Sequence, residues 1–191
     1  LKIPLVKLPG EGKRITPDIL AAITPLLQPG DVFITRHDDA LSNLFLPGFW
    51  PHAALYIGDP GSRATMILPD VSDGFRRSGD AVNFLESKKD GVLLRPAEET
   101  LAVDACVVLR PKLPASDMEN ALARGLTHSG KLYDFVFDFT SSERLACTEL
   151  IYRSFHGIGP IHFKLSTRAG RKCLSAEDIL NQGLSNDWFD I

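Results

Sequence analysis

Cysteine is scarce in this chain, with three in 191 residues at positions 106, 147 and 173. An odd set without CxxC spacing excludes a disulfide framework and a structural zinc cluster, so no metal or other cofactor is expected. At least one thiol is then free, for core packing or for nucleophilic chemistry. Charge of one sign is lacking as well. The 21 Lys and Arg are interleaved with 24 Asp and Glu, for a net charge of −3. No basic stripe exists to neutralise phosphates, and nucleic acid is not an expected partner. Long apolar runs are also missing, so no integral membrane segment is expected and the chain as given is expected to be soluble. Leu1 to Gly10 mixes Lys and Pro with short aliphatics and does not form a signal-type segment. A secretion signal removed ahead of Leu1 is compatible with that start, so the compartment stays open, as does the oligomeric state.

What is present fits one globular domain over 1–191, with 44% hydrophobic and 24% charged residues and no repeat, low-complexity tract or linker. The spacing predicts a helix over Asp18–Leu27, capped by Thr16, opened by Pro17 and kinked or cut short by Pro25. A strand follows at Asp31–Thr35 and a short helix near Ala40–Leu46. The segment His52-Ala-Ala-Leu-Tyr-Ile-Gly58 reads as a central strand with a polar first residue. Further strands are expected near Ala64–Leu68, Val92–Arg95 and Ala105–Arg110, with a short helix at Ala81–Ser87. Ser116 and Glu119 have capping-box spacing for a helix to about His128, and Ser175 with Asp178 has it for one over Ala176–Leu180. From Cys147 the positions Cys147, Leu150, Ile151 and Phe155 recur at helical spacing, so Cys147 lies near the first turn on the buried face. An α+β fold follows, with a mainly antiparallel sheet.

A helix N-terminus stabilises a thiolate through its unpaired N–H groups and the positive end of its dipole. Thr140, Ser141 and Ser142 supply a polar, cap-competent run ahead of Cys147. A histidine on a rigid strand completes such a pair by taking and returning a proton, and His52 opens a strand where substrate can enter. Each feature also has a plainer reading. A cysteine on an apolar stripe is commonly core, and a histidine at a strand mouth is commonly polar punctuation.

Four runs taken together carry more. Pro29-Gly30-Asp31-Val32-Phe33-Ile34-Thr35, then Pro51-His52-Ala53-Ala54-Leu55-Tyr56-Ile57-Gly58, then Tyr133-Asp134-Phe135, then Cys147-Thr148-Glu149-Leu150-Ile151-Tyr152 resemble the circularly permuted, NlpC-type papain-like amidase and peptidase family over about 29–180. The order matches too, with the histidine strand ahead of the cysteine helix. The resemblance implies a papain-like fold, a central antiparallel sheet with the cysteine helix packed on it, Cys147 as nucleophile and His52 as base. It further implies a polar residue that orients the imidazole. The family tends to place a glutamate shortly before an acidic-Gly turn. Sought in Leu68 to Gly74, that pattern offers no glutamate, so Asp70 is the candidate, with Asp73 next and a solvated loop aspartate as the plain alternative. The oxyanion is expected to meet the backbone N–H of Cys147, helped by Tyr133, which resembles the family's tyrosine ahead of the cysteine but is as easily a core residue.

Trp50, with Phe45 and Phe49, is either cleft lining or core. Glu149 points away from the cysteine face and pairs with Arg153 at i+4. His37, Asp38 and Asp39 read as a solvated turn, His156 and His162 as surface loop, and Cys106 as strand interior; Cys173 sits in a basic loop with no histidine motif. Three functions follow. The first is a thiol hydrolase of small peptide or cell-wall peptide amides, with acyl transfer or ester cleavage on an acyl substrate as its variant on the same fold. The second is a binding module that keeps the fold without turnover. The third is a structural domain in which Cys147 is core.

Overall fold

The computed structural model describes residues 12–38, 49–69, 83–137, 139, 143–168 and 170–191. The first helix, α1 (Pro17–Ile23), starts where Thr16 Oγ1 accepts from the Ile19 N–H at 3.4 Å. It then tightens into a 3₁₀ turn at Thr24–Leu26. Pro25 offers no N–H to continue the α pattern, so the expected helix ends early by that mechanism.

Six strands form one antiparallel sheet: β1 (Val32–Arg36), β2 (His52–Tyr56), β3 (Phe84–Lys88), β4 (Gly91–Arg95), β5 (Ala105–Pro111) and, at the C-terminal end, β10 (Phe189–Asp190), in the order β10-β5-β1-β2-β3-β4. The histidine strand β2 is interior to the sheet, as its apolar run requires.

Alternation along the strands sends side chains to two cores. Val32, Ile34, Ala53, Leu55, Leu85 and Leu109 pack on one face. There they meet α4 (Ala115–Leu126), α5 (Cys147–Phe155) and α6 (Ala176–Ser185) through Leu122, Leu126, Leu150, Ile151, Phe155 and Ile179. Phe33, Ala54, Tyr56 and Phe84 face the other way, against Leu20, Ile23 and Leu27 of the N-terminal segment and Ala97 of the short helix α3 (Ala97–Thr100). The approach of α4 to α5 is close. A Cβ on Gly125 would lie 2.7 Å from Ser154 Oγ and 3.2 Å from Leu55 Cδ2.

Several local expectations give way. Ala64–Leu68 is not a strand. Asp59 Oδ1 accepts from the Ser62 N–H at 2.9 Å and Pro60 opens a one-turn helix, α2 (Pro60–Arg63), so capping wins over the apolar pattern. The expected helix at Ala81–Ser87 is β3 from Phe84 onward, because Lys89-Asp90 make a two-residue turn into Gly91, at φ 105°, and the hairpin pairing overrides local propensity. Helix α4 begins after Pro114 without a side-chain cap, so Ser116 lies inside its first turn. The capping box at Ser175 and Asp178 forms in full at the start of α6, with Ser175 Oγ accepting from the Asp178 N–H at 3.1 Å. The expected helix near Ala40–Leu46 and the caps at Thr140, Ser141 and Ser142 lie outside the described residues.

Two small pairings complete the fold: β6 (Leu132–Tyr133) runs parallel to β7 (Arg144–Leu145), and β8 (Ser166–Arg168) pairs with β9 (Arg171–Cys173). Among the described residues, no helix is long and apolar enough to cross a membrane.

Candidate active site

Cys147 is the first residue of α5, and Ala146 ahead of it caps the helix with no side chain. The helix-start N–H groups are therefore not consumed by a cap. The N–H of Thr148 and that of Ala53, on β2, both point at the sulfur and favour its anionic form. The segment is anchored to the sheet, since the Ser87 hydroxyl of β3 donates to the Leu145 carbonyl at 2.6 Å and Tyr133 is registered with Leu145.

His52, the first residue of β2, hydrogen-bonds the Cys147 sulfur, and its Nε2 lies 2.7 Å from Glu86 Oε1. Nδ1 is thus the ring nitrogen left for the thiol. Strand parity explains the meeting. Residues 52, 54 and 56 of β2 share a face with 84 and 86 of β3, and the register Tyr56↔Phe84 and Leu55↔Leu85 makes His52 and Glu86 diagonal neighbours.

Glu86 is nearly inaccessible, at 1% exposure, so an isolated carboxylate there would be costly. It is compensated on every side. While Oε1 serves His52, Oε2 accepts from Thr100 Oγ1 at 3.0 Å and lies 2.9 Å from Lys88 Nζ and 3.3 Å from Arg95 Nε. Arg95 is itself buried and spends its other nitrogens on Asp90 Oδ1 at 2.5 Å and Glu99 Oε1 at 2.6 Å.

The charges shift accordingly. Burial works against the His52 imidazolium, but the Cys147 thiolate and Glu86 outweigh it and push the histidine up to about 10. Burial would likewise raise Glu86, yet His52 and Lys88 bring it down to about 2. Burial opposes the Cys147 thiolate too, and His52 with the two amides still holds the thiol below its ordinary value. Shifts in these directions favour a thiolate–imidazolium pair against a fixed carboxylate.

Of the other expected site residues, Asp70 and Asp73 lie outside the described residues, and the contact with the imidazole is made by Glu86. Tyr133 is near enough for the Cys147 charge to act on it. Burial first, then the Cys147 and Asp134 charges, raise its phenol, which therefore stays a protonated donor. Trp50 is half-buried against the main core, edge-to-face with Phe49 at 4.9 Å, and its backbone N–H meets Glu177 Oε2 at 3.4 Å. Cys106 is partly buried in β5, and burial raises its thiol. Glu149 pairs with Arg153 Nη2 at 3.1 Å, as its spacing predicts. It is completely buried, and burial lifts its carboxyl to about 7 against the pull of Arg153 and the Ala146 N–H. Glu86 is the residue that sequence reading missed. Its signal lies in Asp90-Gly91, an acidic-Gly turn of the family type that follows Glu86, further along the chain than Leu68 to Gly74.

A permuted order, with the histidine on a strand ahead of the cysteine's helix, and an antiparallel sheet carrying that helix on one face define the papain-like class. Residues 26–179 match the family described as permuted papain-like amidase enzyme, YaeF/YiiX, C92 family. The chain belongs to this family, which makes it a papain-like, cysteine-type hydrolase of the amidase kind in general. The solved structure of yiiX from Escherichia coli O157:H7 is similar at 16% identity and a TM-score of 0.55, over 83% of this chain and 81% of that one, a likeness of fold. No curated protein matches the sequence. The yiiX protein is described as a metalloprotein. Among the described residues of this chain, no group of three or more His, Cys, Asp or Glu could hold a metal ion.

Proposed function

We propose that this protein cleaves amide bonds of small, peptide-like substrates through an acyl-enzyme on Cys147. The observation that carries this reading is the buried Cys147–His52–Glu86 relay, with the histidine raised to about 10 and the thiol lowered. The Cys147 thiolate attacks the substrate carbonyl carbon and forms a C–S bond, while the oxygen takes the charge. The backbone N–H of Cys147 and the Tyr133 hydroxyl are the donors for that oxygen. As the C–N bond breaks, His52 gives its proton to the departing amine. Water then loses a proton to His52 and adds to the thioester. The C–S bond breaks, a carboxylic acid leaves, and the proton returns the resting pair.

Glu86 orients the ring and stabilises the imidazolium, the part that fell to Asp70 on sequence alone. Its single-oxygen contact to Nε2 fixes Nδ1 toward sulfur, the part an aspartate plays in a serine triad with the two ring nitrogens exchanged. Trp50, two residues before His52, walls the substrate on the base side.

The test is the pH dependence of Cys147 alkylation by iodoacetamide in wild type and His52→Ala, with the modified thiol identified by mass spectrometry. Cys147 is expected to react fastest of the three cysteines, with a midpoint well below about 8.5. His52→Ala should return that midpoint toward the ordinary value. A Cys147 no more reactive than Cys106 in folded protein sinks the enzyme reading and leaves a binding module.

A further inference from the structure

The loop after Tyr133 exposes what a soluble surface normally hides. Leu132, Phe135 and Val136 are 57%, 64% and 50% exposed within five consecutive residues, whereas the other exposed large apolar side chains are scattered along the sequence. A clustered apolar run marks a contact surface more than single exposed residues do.

This run adjoins the nucleophile. The Tyr133 ring feels the Cys147 charge and packs edge-to-face on Phe135 at 4.8 Å and on Phe137 at 6.3 Å. Phe135 thus lies one ring beyond a residue within reach of the sulfur's charge. Tyr133 itself is fixed by pairing with Leu145, two residues ahead of Cys147.

The loop is also braced. Asp134 Oδ1 accepts from the Val136 N–H at 2.8 Å, and Arg171 Nη1, from β9, donates to the Val136 carbonyl at 3.2 Å. Phe137 has φ 54°, a left-handed conformation that is unfavourable for a bulky residue. Strain held in place by surrounding contacts is a recurrent property of ligand-contacting segments.

We propose that Phe135, supported by Leu132 and Val136, is the specificity subsite of this enzyme and receives an apolar side chain of the peptide-like substrate next to the scissile carbonyl. This rests on the amidase reading above. The side chain is favoured over a second copy of the chain or a membrane because Phe135 packs on Tyr133, and Tyr133 is paired with Leu145, two residues ahead of the thiol. Covering the exposed phenyl with an aliphatic group removes apolar surface from water at the point where the acyl group must sit.

The test uses two covalent probes of the thiol, N-acetyl-leucine chloromethyl ketone and N-acetyl-glycine chloromethyl ketone. Inactivation rates are measured on wild type, Phe135→Ser and Phe135→Leu, each divided by that protein's own iodoacetamide rate. Wild type is expected to prefer the leucine reagent by about tenfold, Phe135→Ser to lose most of that preference and Phe135→Leu to keep it. Equal preference in wild type and Phe135→Ser overturns the subsite, as does the absence of any preference in wild type. Faster capture of an unbranched long-chain acyl chloromethyl ketone than of the leucine reagent also overturns it. Failure of Cys147 to label with iodoacetamide defeats the amidase reading instead, and the subsite falls with it.

Discussion

Glu86→Gln is the most informative single change, because it keeps the shape of the side chain and removes only its charge. The buried carboxylate lies 2.7 Å from His52 Nε2. An opposite charge at such range moves a pKa by roughly 1 to 3 units. The lower end is exceeded, since the same change leaves Lys88 and the buried Arg95 facing the imidazolium without their shared counter-charge. A fall of about 2 units in His52 is expected, equivalent to about 2.7 kcal/mol of lost imidazolium stabilisation and a hundredfold drop in the ratio of ion pair to neutral pair. The sign is fixed by the direction of the shift. His52 is raised to about 10 in the folded protein, so its stabilising charge is fully present below the ordinary histidine value and lost as pH rises through about 10. In Glu86→Gln that alkaline loss should begin near pH 8. NMR titration of the His52 ring Cε1–H reads the shift directly, and iodoacetamide labelling near neutral pH reads the lost thiolate. An unchanged His52 titration in a folded variant would refute the coupling of carboxylate to base.

Other consequences are as concrete. Cys147→Ala should abolish amide cleavage while leaving a cooperative thermal transition, because the site loses its nucleophile and one small buried side chain; residual turnover of any amide substrate by this variant would exclude Cys147 as nucleophile. Gly125→Ala should destabilise by about 1 to 3 kcal/mol through overpacking, given the 2.7 Å approach to Ser154 Oγ, as measured by urea unfolding. Glu149 is raised from 4.5 to about 7, so the folded state holds a proton that the unfolded chain has released, and stability should decline as pH rises across that window. The decline should amount to no more than about 3 kcal/mol. Glu149→Gln should flatten it, which urea melts at pH 5 and pH 8 would test; an equally steep dependence in the variant would place the titrating group elsewhere.

Cys147 and His52, which lie in hydrogen-bond contact, were legible as a pair because each carries a local signature. Cys147 heads an apolar 3.6-residue stripe, and His52 is the single polar residue at the mouth of an apolar strand. Both signatures are settled by a few neighbouring residues, as is the capping box at Ser175 and Asp178. Glu86 was illegible for the opposite reason. The run Phe84-Leu85-Glu86-Ser87-Lys88 has no clean alternation of polar and apolar residues, since Ser87 faces inward to hold Leu145 and Glu86 faces inward to hold His52. Its two polar side chains are buried by function, so the pattern that announces a strand was erased where the chemistry is placed. The Asp90-Gly91 turn was the remaining clue, a hairpin signal independent of hydrophobic pattern. The one-turn helix at Pro60–Arg63 was decided by Asp59 and Pro60 against the apolar residues that follow.

The order of the parts along the chain has a consequence for how the protein is made. His52, Glu86, Arg95 and Thr100 all precede Cys147, and they sit on three neighbouring strands, β2, β3 and β4, and on the turn of helix just beyond. A ribosome therefore delivers the polarised histidine and its carboxylate before it delivers the sulfur. Until α5 packs on β2, the nascent chain holds the histidine and its carboxylate with no thiol beside them, and the pair with Cys147 forms only at that docking.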